Sequence, residues 1–266
     1  MLLSIITVNL NNHIGLEKTI QSVINQSFKN FEYIIIDGGS EDDSLNVIKK
    51  FASYINYWVS EKDDGIYNAM NKGISKATGE YCLFLNSGDS LSDDSILHKV
   101  FSLNREEDII YGNRKEFFNN VEKRTITFSE KLSFYFFYTY TLGHQSTFIR
   151  RKLFDIVGNY NENKKFDADW EFFMIATAKH NCSYAYVPIT ICNYDLHGIS
   201  AIDANREEMM NERLNTLKHH FPLFVEDYEE LVRLKREINY YRNRTTLNLI
   251  KDIIKKQVQK IRILDK

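Results

Sequence analysis

Four short apolar runs, each ending on a polar turn, constrain this chain more than any other feature. They are "LLSIITV", "FEYIIID", "YWVS" and "YCLFLN". Each is rich in β-branched or aromatic residues and too short for a buried helix, so each reads as a strand. Between the first two, Leu16, Ile20, Val23 and Ile24 recur at helical spacing. Leu45, Ile48, Ala52 and Ile55 do so after the second run, and Ile66, Met70 and Gly73 after the third. The β-α-β-α-β-α-β rhythm predicts an α/β fold with a mostly parallel central sheet flanked by helices. In such sheets ligands lie beyond the carboxyl ends of the strands. The polar clusters stand there: Asn9 to Asn12, Asp37 to Ser40, Asp63 to Gly65 and Asn86 to Asp89.

The second half changes character. "DIIYGN" and "STFI" read as strands, "RKEFFNNVEKRTITF" as a hairpin around a polar turn, and "DADWEFFMIATAKH" as a helix starting near Asp167 or Asp169. "YAYVPITICNYDLHGIS" holds one or two strands and a glycine loop. From Asn205 the chain is helical and densely charged. Its last segment carries Leu247, Ile250, Ile254 and Val258 on one face, with Lys and Arg elsewhere. Such a basic amphipathic helix suits an anionic membrane surface, packing back on the domain, or pairing in an oligomer.

The expected division is a domain over 1–204, split near 113 into nucleotide-binding and acceptor halves, followed by a helical extension over 205–266. A net charge of −2 argues against a nucleic-acid binder. Three cysteines without metal-type spacing read as reduced cytosolic thiols. The N-terminus lacks a basic region and reads as a strand rather than a signal peptide, and no run is long enough to span a membrane.

"YCLFLNSGDS" ends a buried strand on a turn with one carboxylate, Asp89. A hard oxygen there suits Mg²⁺ or Mn²⁺; a helix cap is the alternative. The segments "SIITVNLNN", "IIIDGGSEDDS", "SEKDDGIYNAMNKGISKATGEYCLFLNSGD" and "HQSTFIRR", in this order, resemble a family-2 glycosyltransferase with the GT-A nucleotide-sugar fold. The resemblance covers about residues 1–200 and is greatest to the bacterial subgroup that builds surface polysaccharides.

That resemblance implies roles residue by residue. Thr7, Val8 and Asn9 cradle the base. Asp37 accepts from uracil N3–H, or serves as a turn residue. Asp63, Asp64 and Gly65 line the uridine and sugar side, with Asn68 beside them. Lys72 meets phosphate or is simply solvated. Asn86, Ser87 and Gly88 replace most of the family's acidic metal motif, leaving Asp89 as the metal ligand, with His197 as a second candidate. Asp169 is the catalytic base, flanked by Asp167 and Glu171, or else an acid placed for the helix dipole. His144 and Gln145 lie by the sugar, and Trp170 lines the acceptor site or packs in the core.

The activity implied is inverting, metal-dependent transfer from a nucleoside diphosphate sugar, UDP favoured, to a saccharide or lipid-linked saccharide. The location implied is the cytoplasm, peripheral at the inner face of a bacterial membrane. Residues Tyr111 to Leu142 are expected to choose the sugar. A nucleotidyltransferase or dinucleotide oxidoreductase would need a glycine-rich loop that "VNLNNHIGLEK" lacks. A catalytically degenerate sugar-nucleotide binder is the non-enzymatic alternative.

Overall fold

The structure is a computed structural model and describes residues 1–198 and 203–242, with scattered positions from 248 to 255. The residues expected to form the basic tail lie largely outside the described ones. Strands β1 (Leu3–Asn9), β2 (Phe31–Asp37), β3 (Tyr57–Ser60) and β4 (Tyr81–Phe84) pair in parallel in the order β3-β2-β1-β4. Helices α1 (His13–Ile24), α2 (Ser44–Lys50) and α3 (Ile66–Lys76) connect them. The expected second helix is shorter than its apolar spacing suggested. It ends before Phe51, a 3₁₀ turn follows, and Ala52 is exposed.

Side-chain alternation decides what each strand residue meets. Leu3 and Ile5 of β1, Tyr33 and Ile35 of β2, and Leu83 of β4 share a core cluster with Leu16, Ile20 and Val23 of α1 and Val47 and Ile48 of α2. On the other face Ile6 meets Gly73 of α3, and Phe84 meets Phe154 and Tyr160. With both faces covered, β1 and β4 are buried along their whole lengths, which is why their sequences are unbroken apolar runs rather than alternating ones.

The sheet continues past β4 with mixed pairing. Its further elements are β5 (Ser90–Leu91), α4 (Ile96–Phe101), β6 (Ile109–Phe118), β7 (Val121–Ile126) and α5 (Phe134–Thr139). Then come β8 (Thr147–Arg150), α6 (Leu153–Val157), α7 (Ala168–Ala178) and β9 (Tyr184–Asp195). β8 lies antiparallel between β4 and β6, β9 runs parallel to β6, and the two-residue β5 pairs antiparallel with β9. The expected hairpin is β6–β7. Its turn residues Asn119 and Asn120 hold φ of 50° and 60°, the left-handed conformation that tight hairpin turns need.

Helices α8 (Arg206–His220) and α9 (Pro222–Arg242) follow. One compact unit covers Met1–Leu214, and a second begins at Asn215, within α8. Among the described residues no helix is long and apolar enough to cross a membrane.

Gly79, just before β4, donates its N–H to Ser4 Oγ at 2.9 Å and to the buried Glu32 carboxylate at 3.1 Å. A Cβ at this position would lie 2.6 Å from the Ser4 backbone nitrogen, so the backbone itself must shift. Gly79→Ala is expected to lower unfolding free energy by about 1–3 kcal/mol in urea titrations, with an unchanged m-value.

Candidate active site

The turn after β4 is held by the start of α1. Asn12 caps α1 by accepting from the Gly15 N–H at 3.0 Å, and its Nδ2 donates to the Ser87 carbonyl at 3.1 Å. Thr19 Oγ1 accepts from the Gly88 N–H at 3.0 Å and donates to the Asp89 carbonyl at 2.6 Å. Lys18 Nζ donates to the Gly88 carbonyl at 2.9 Å. Gly88 has φ of 105°, a conformation open to glycine and strained for other residues. These bonds turn Asn86–Asp89 over the strand end and aim Asp89 at β9.

Asp89 is no helix cap, because α4 begins at Ile96 with Ser95 before it. Its Oδ1 accepts from the Asp195 N–H at 2.8 Å. Burial pushes the Asp89 carboxyl up to about 7, with the Asp195 amide opposing the rise and the Asp195 charge adding to it. Asp195 itself sits against the turn: a Cβ on Gly88 would lie 3.2 Å from its Oδ2. His197 hangs from Asp195 rather than from Asp89. Its Nδ1 lies 2.5 Å from Asp195 Oδ1, its Nε2 lies 3.0 Å from Asn119 Oδ1, and its ring stacks on Phe118. Among the described residues no three His, Cys, Asp or Glu side chains gather as a ready metal-holding group. Asp89 and Asp195 still fit Mn²⁺ or Mg²⁺. They are hard oxygen donors, and the buried Asp89 carries a charge that a cation would compensate.

Asp169 stands in the first turn of α7. Its Oδ2 lies 2.8 Å from His144 Nδ1, and its Oδ1 lies 3.2 Å from Tyr67 Oη, whose single proton is shared with the nearer Phe166 carbonyl at 2.5 Å. Burial works to raise its pKa, but the bonds from His144, the Trp170 N–H and Tyr67 outweigh it and hold the group below the usual carboxylate range. His144 reaches across to the β4 turn, its Nε2 3.3 Å from Asn86 Nδ2. A cavity of about 370 Å³ opens over Asn86, Asp89, His144, Asp169 and Asp195 together.

The residues expected on the nucleotide side are held as follows. Asp37 is fully buried, and both carboxylate oxygens are engaged. Oδ1 accepts from Asn9 Nδ2 at 2.7 Å and Ser40 Oγ at 2.6 Å; Oδ2 accepts from the Ser40 N–H at 2.9 Å and Ser60 Oγ at 2.6 Å. Burial opposes these bonds, yet they hold its pKa down. Thr7 Oγ1 is tied to Tyr33 Oη at 3.0 Å, and the Val8 carbonyl accepts from the Ser87 N–H at 3.1 Å. Asp63 accepts from the Gly65 N–H at 3.0 Å, and its other oxygen lies against Gly38. Asp64 and Gly65 are exposed, with Gly65 capping α3 at φ of 112°. Asn68 donates to Glu162 at 2.8 Å. Lys72 pairs with Glu61 at 2.8 Å. Gln145 is buried beside His144, with its Oε1 unpartnered. Trp170 is in the core: it is fully buried, and its Nε1 donates to the Phe137 carbonyl at 2.7 Å.

Three contributors escape a reading of the sequence. Asp195 was overshadowed by His197, although both fall in the stretch singled out for its glycine loop. Tyr67 starts α3 in the recognised "DGIYNAMNK" segment but acts on a carboxylate far along the chain. The third is α8. Glu212 accepts the backbone N–H groups of Lys165, Phe166 and Asp167 at 3.0, 3.3 and 2.9 Å, and Arg213 pairs with Asp167 at 2.8 Å. Asp167 makes no side-chain cap of its own, so α8 holds the start of α7 from outside.

Comparison with known proteins gives a consistent match. The family model described as glycosyl transferase family 2 matches residues 4–158. A "PGL/p-HBAD biosynthesis glycosyltransferase" of Mycobacterium bovis is 30% identical over 204 residues, covering 73% of this chain and 77% of that protein. The "GalNAc(5)-diNAcBac-PP-undecaprenol beta-1,3-glucosyltransferase" of Campylobacter jejuni is 31% identical over 115 residues, or 42% of this chain and 37% of that protein. Among solved structures, S. aureus TarS 1–349 in complex with UDP superposes with a TM-score of 0.61 at 19% identity, covering 83% of this chain and 73% of that one. This likeness gives the GT-A architecture.

The raised pKa of Asp89 has a stability consequence. The unfolded carboxyl loses its proton near pH 3.9, the folded one at about 7. Between these values the native state binds the extra proton, so native stability falls as pH rises through that window. Asp89→Asn removes the penalty. Its melting temperature is expected to exceed wild type by several degrees at pH 7.5 without divalent cations, and the gap to close by about pH 4. Thermal scans across pH check this.

Proposed function

The chain belongs to glycosyl transferase family 2, and from that premise we propose that it moves a sugar from a nucleoside diphosphate sugar, UDP favoured, to a hydroxyl of a saccharide or lipid-linked saccharide, with inversion. The observation that carries this reading is the meeting of Asp89, His144 and Asp169 around one cavity, although they come from a strand end, a 3₁₀ turn and a helix far apart in sequence. The UDP complex of the TarS fragment supports the donor class, and the name of the Campylobacter relative supports a lipid-linked acceptor.

The chemistry follows from the placement. The diphosphate is laid over the Asn86–Asp89 turn, and the base stacks against the ends of β1 and β2. Mn²⁺ or Mg²⁺ held by Asp89 and Asp195 would neutralise charge on the departing diphosphate. The acceptor enters from the side of Asp169, and its hydroxyl attacks the anomeric carbon opposite the leaving group. The Asp169–His144 pair takes the hydroxyl proton. No covalent intermediate is needed. Tyr67 and the Glu212 cap hold Asp169 in place, so the pair stays oriented without substrate. Membrane association through the C-terminal tail, a peripheral location at the inner face of the membrane, and self-association complete the proposal.

Release of nucleoside diphosphate from a panel of UDP-, GDP- and dTDP-sugars tests it, with Mn²⁺ and with EDTA. Metal-dependent release from one donor is expected, lost in Asp89→Ala. Asp169→Asn is expected to lower kcat by about 10²–10⁴-fold while binding UDP as wild type does. Binding of UDP with no turnover of any donor, even with extracted lipid-linked acceptors, would favour the degenerate binder instead.

A further inference from the structure

We propose that the side of the cavity formed by β6 and β7 is an acceptor subsite for an anionic group, with Arg124 taking a carboxylate or phosphate that the acceptor carries. The inference rests on the glycosyl-transfer reading above and names the chemical class of its acceptor.

The charges around the cavity are unevenly paired. Beside α8 each cation has its own carboxylate: Arg213 lies 2.8 Å from Asp167, and Lys165 lies 3.0 Å from Glu208. The β6–β7 side is different. Arg114 Nη2 and Arg124 Nε donate to the two oxygens of one carboxylate, Glu116, at 3.1 and 2.6 Å. The Glu116 side chain is 3% exposed, and all three residues line the cavity. Two guanidinium charges thus face one buried carboxylate, which leaves a positive charge in excess on this side. The cavity's other carboxylates, Asp89, Asp195 and Asp169, serve the metal and the proton step. An anion brought by a ligand completes the balance.

The two arginines are not equivalent. Arg114 belongs to the wall itself. Its side chain is 13% exposed, and its guanidinium lies 5.1 Å from the Tyr194 ring centre. A Cβ on Gly143 would collide with its Nη1. Arg124 is 65% exposed, and Glu116 holds it through Nε alone. Its two Nη groups have no partner among the described residues. Their planar fork matches the paired oxygens of a carboxylate or a phosphate. Anchorage on a buried carboxylate reduces the freedom that the fork loses on binding. Gln145 Oε1, buried against Gly143, also lacks a partner and is an acceptor that a sugar hydroxyl can meet.

Position separates this charge from the donor diphosphate. Arg124 of β7 stands opposite Glu116 of β6, and Glu116 opposite Tyr194 of β9. Ser90 pairs antiparallel with Asn193, so the preceding Asp89 falls beside Tyr194. Arg124, Glu116, Tyr194 and Asp89 form one row across the sheet. The row spans three strand spacings, about 14 Å between the backbones of Arg124 and Asp89. That leaves room for sugar between a diphosphate over the β4 turn and the guanidinium. The same side adjoins the wall that takes the acceptor's proton. Gly143, against which Arg114 packs, precedes His144, and His144 Nδ1 lies 2.8 Å from Asp169 Oδ2.

Sequential titration of the full chain tests the assignment. UDP and Mg²⁺ are first bound to saturation, followed by calorimetry, and the complex is then titrated with glucuronate, glucose 1-phosphate and glucose. One charged probe or both are expected to bind at least about fivefold more tightly than glucose. The tighter of the two names the source of the anion, an acidic sugar or a phosphate-bearing acceptor. Arg124→Gln is expected to bring the charged probes within about twofold of glucose while UDP affinity stays within about fivefold of wild type. Lys165→Gln removes the same charge from the same cavity and is expected to keep the preference. A wild type with no preference for a charged probe would overturn the assignment. So would a preference that survives Arg124→Gln, or one that Lys165→Gln erases as fully. A larger loss of UDP affinity in Arg124→Gln would also overturn it, because the guanidinium would then serve the donor. A wild-type protein that does not bind UDP would instead overturn the glycosyl-transfer reading on which the assignment stands.

Discussion

Strand β4 is the seam on which the rest of the molecule depends. It pairs in parallel with β1 on one side and antiparallel with β8 on the other, so the parallel strands β1 to β4 and the mixed strands that follow form one continuous sheet. A continuous sheet cannot hinge at that line without breaking ladder hydrogen bonds. The turn that leaves β4 therefore has a fixed position relative to both halves, and α1 pins it further through Asn12, Lys18 and Thr19. Asp89 is buried there because the chain has no freedom to swing it into water. The burial that raises its pKa is a result of that constraint.

The opposite wall of the site is built by different means. Asp169 owes its place to a helix whose N-cap residue, Asp167, makes no side-chain cap bond. Glu212 supplies the missing acceptor from α8, Arg213 neutralises Asp167, and Tyr67 reaches in from α3. Three elements thus converge on one carboxylate. The cost of ordering them is met in folding, so the pair of Asp169 and His144 is already oriented before any substrate arrives.

Much of this was legible in the sequence because it is local. Parallel strands buried on two faces must be apolar throughout, which made β1, β2 and β4 plain, and the turn at Asn86–Asp89 followed from the end of the last of them. The Asn-Asn hairpin carried its own turn chemistry, and acidic residues marked the start of α7 near Asp167. What was hidden depends on register and on distant pairing. Asp195 becomes part of the site because β9 runs beside β5, and no local pattern announces that. The dense charge of α8 carries no local sign of a partner, yet Glu212 and Arg213 spend theirs on the loop before α7. Trp170, open to two readings as a residue, is settled by the Phe137 carbonyl that its indole meets in the core.

The central claim is that the β4 turn and the first turn of α7 form the two walls of one transfer site. A crystal structure of the protein with UDP and Mn²⁺ tests it most directly. The account predicts the diphosphate over Ser87–Asp89, the metal on the Asp89 carboxylate, and the terminal phosphate facing the His144–Asp169 pair. Nucleotide bound anywhere else on the sheet, or a diphosphate turned away from His144 and Asp169, would contradict it.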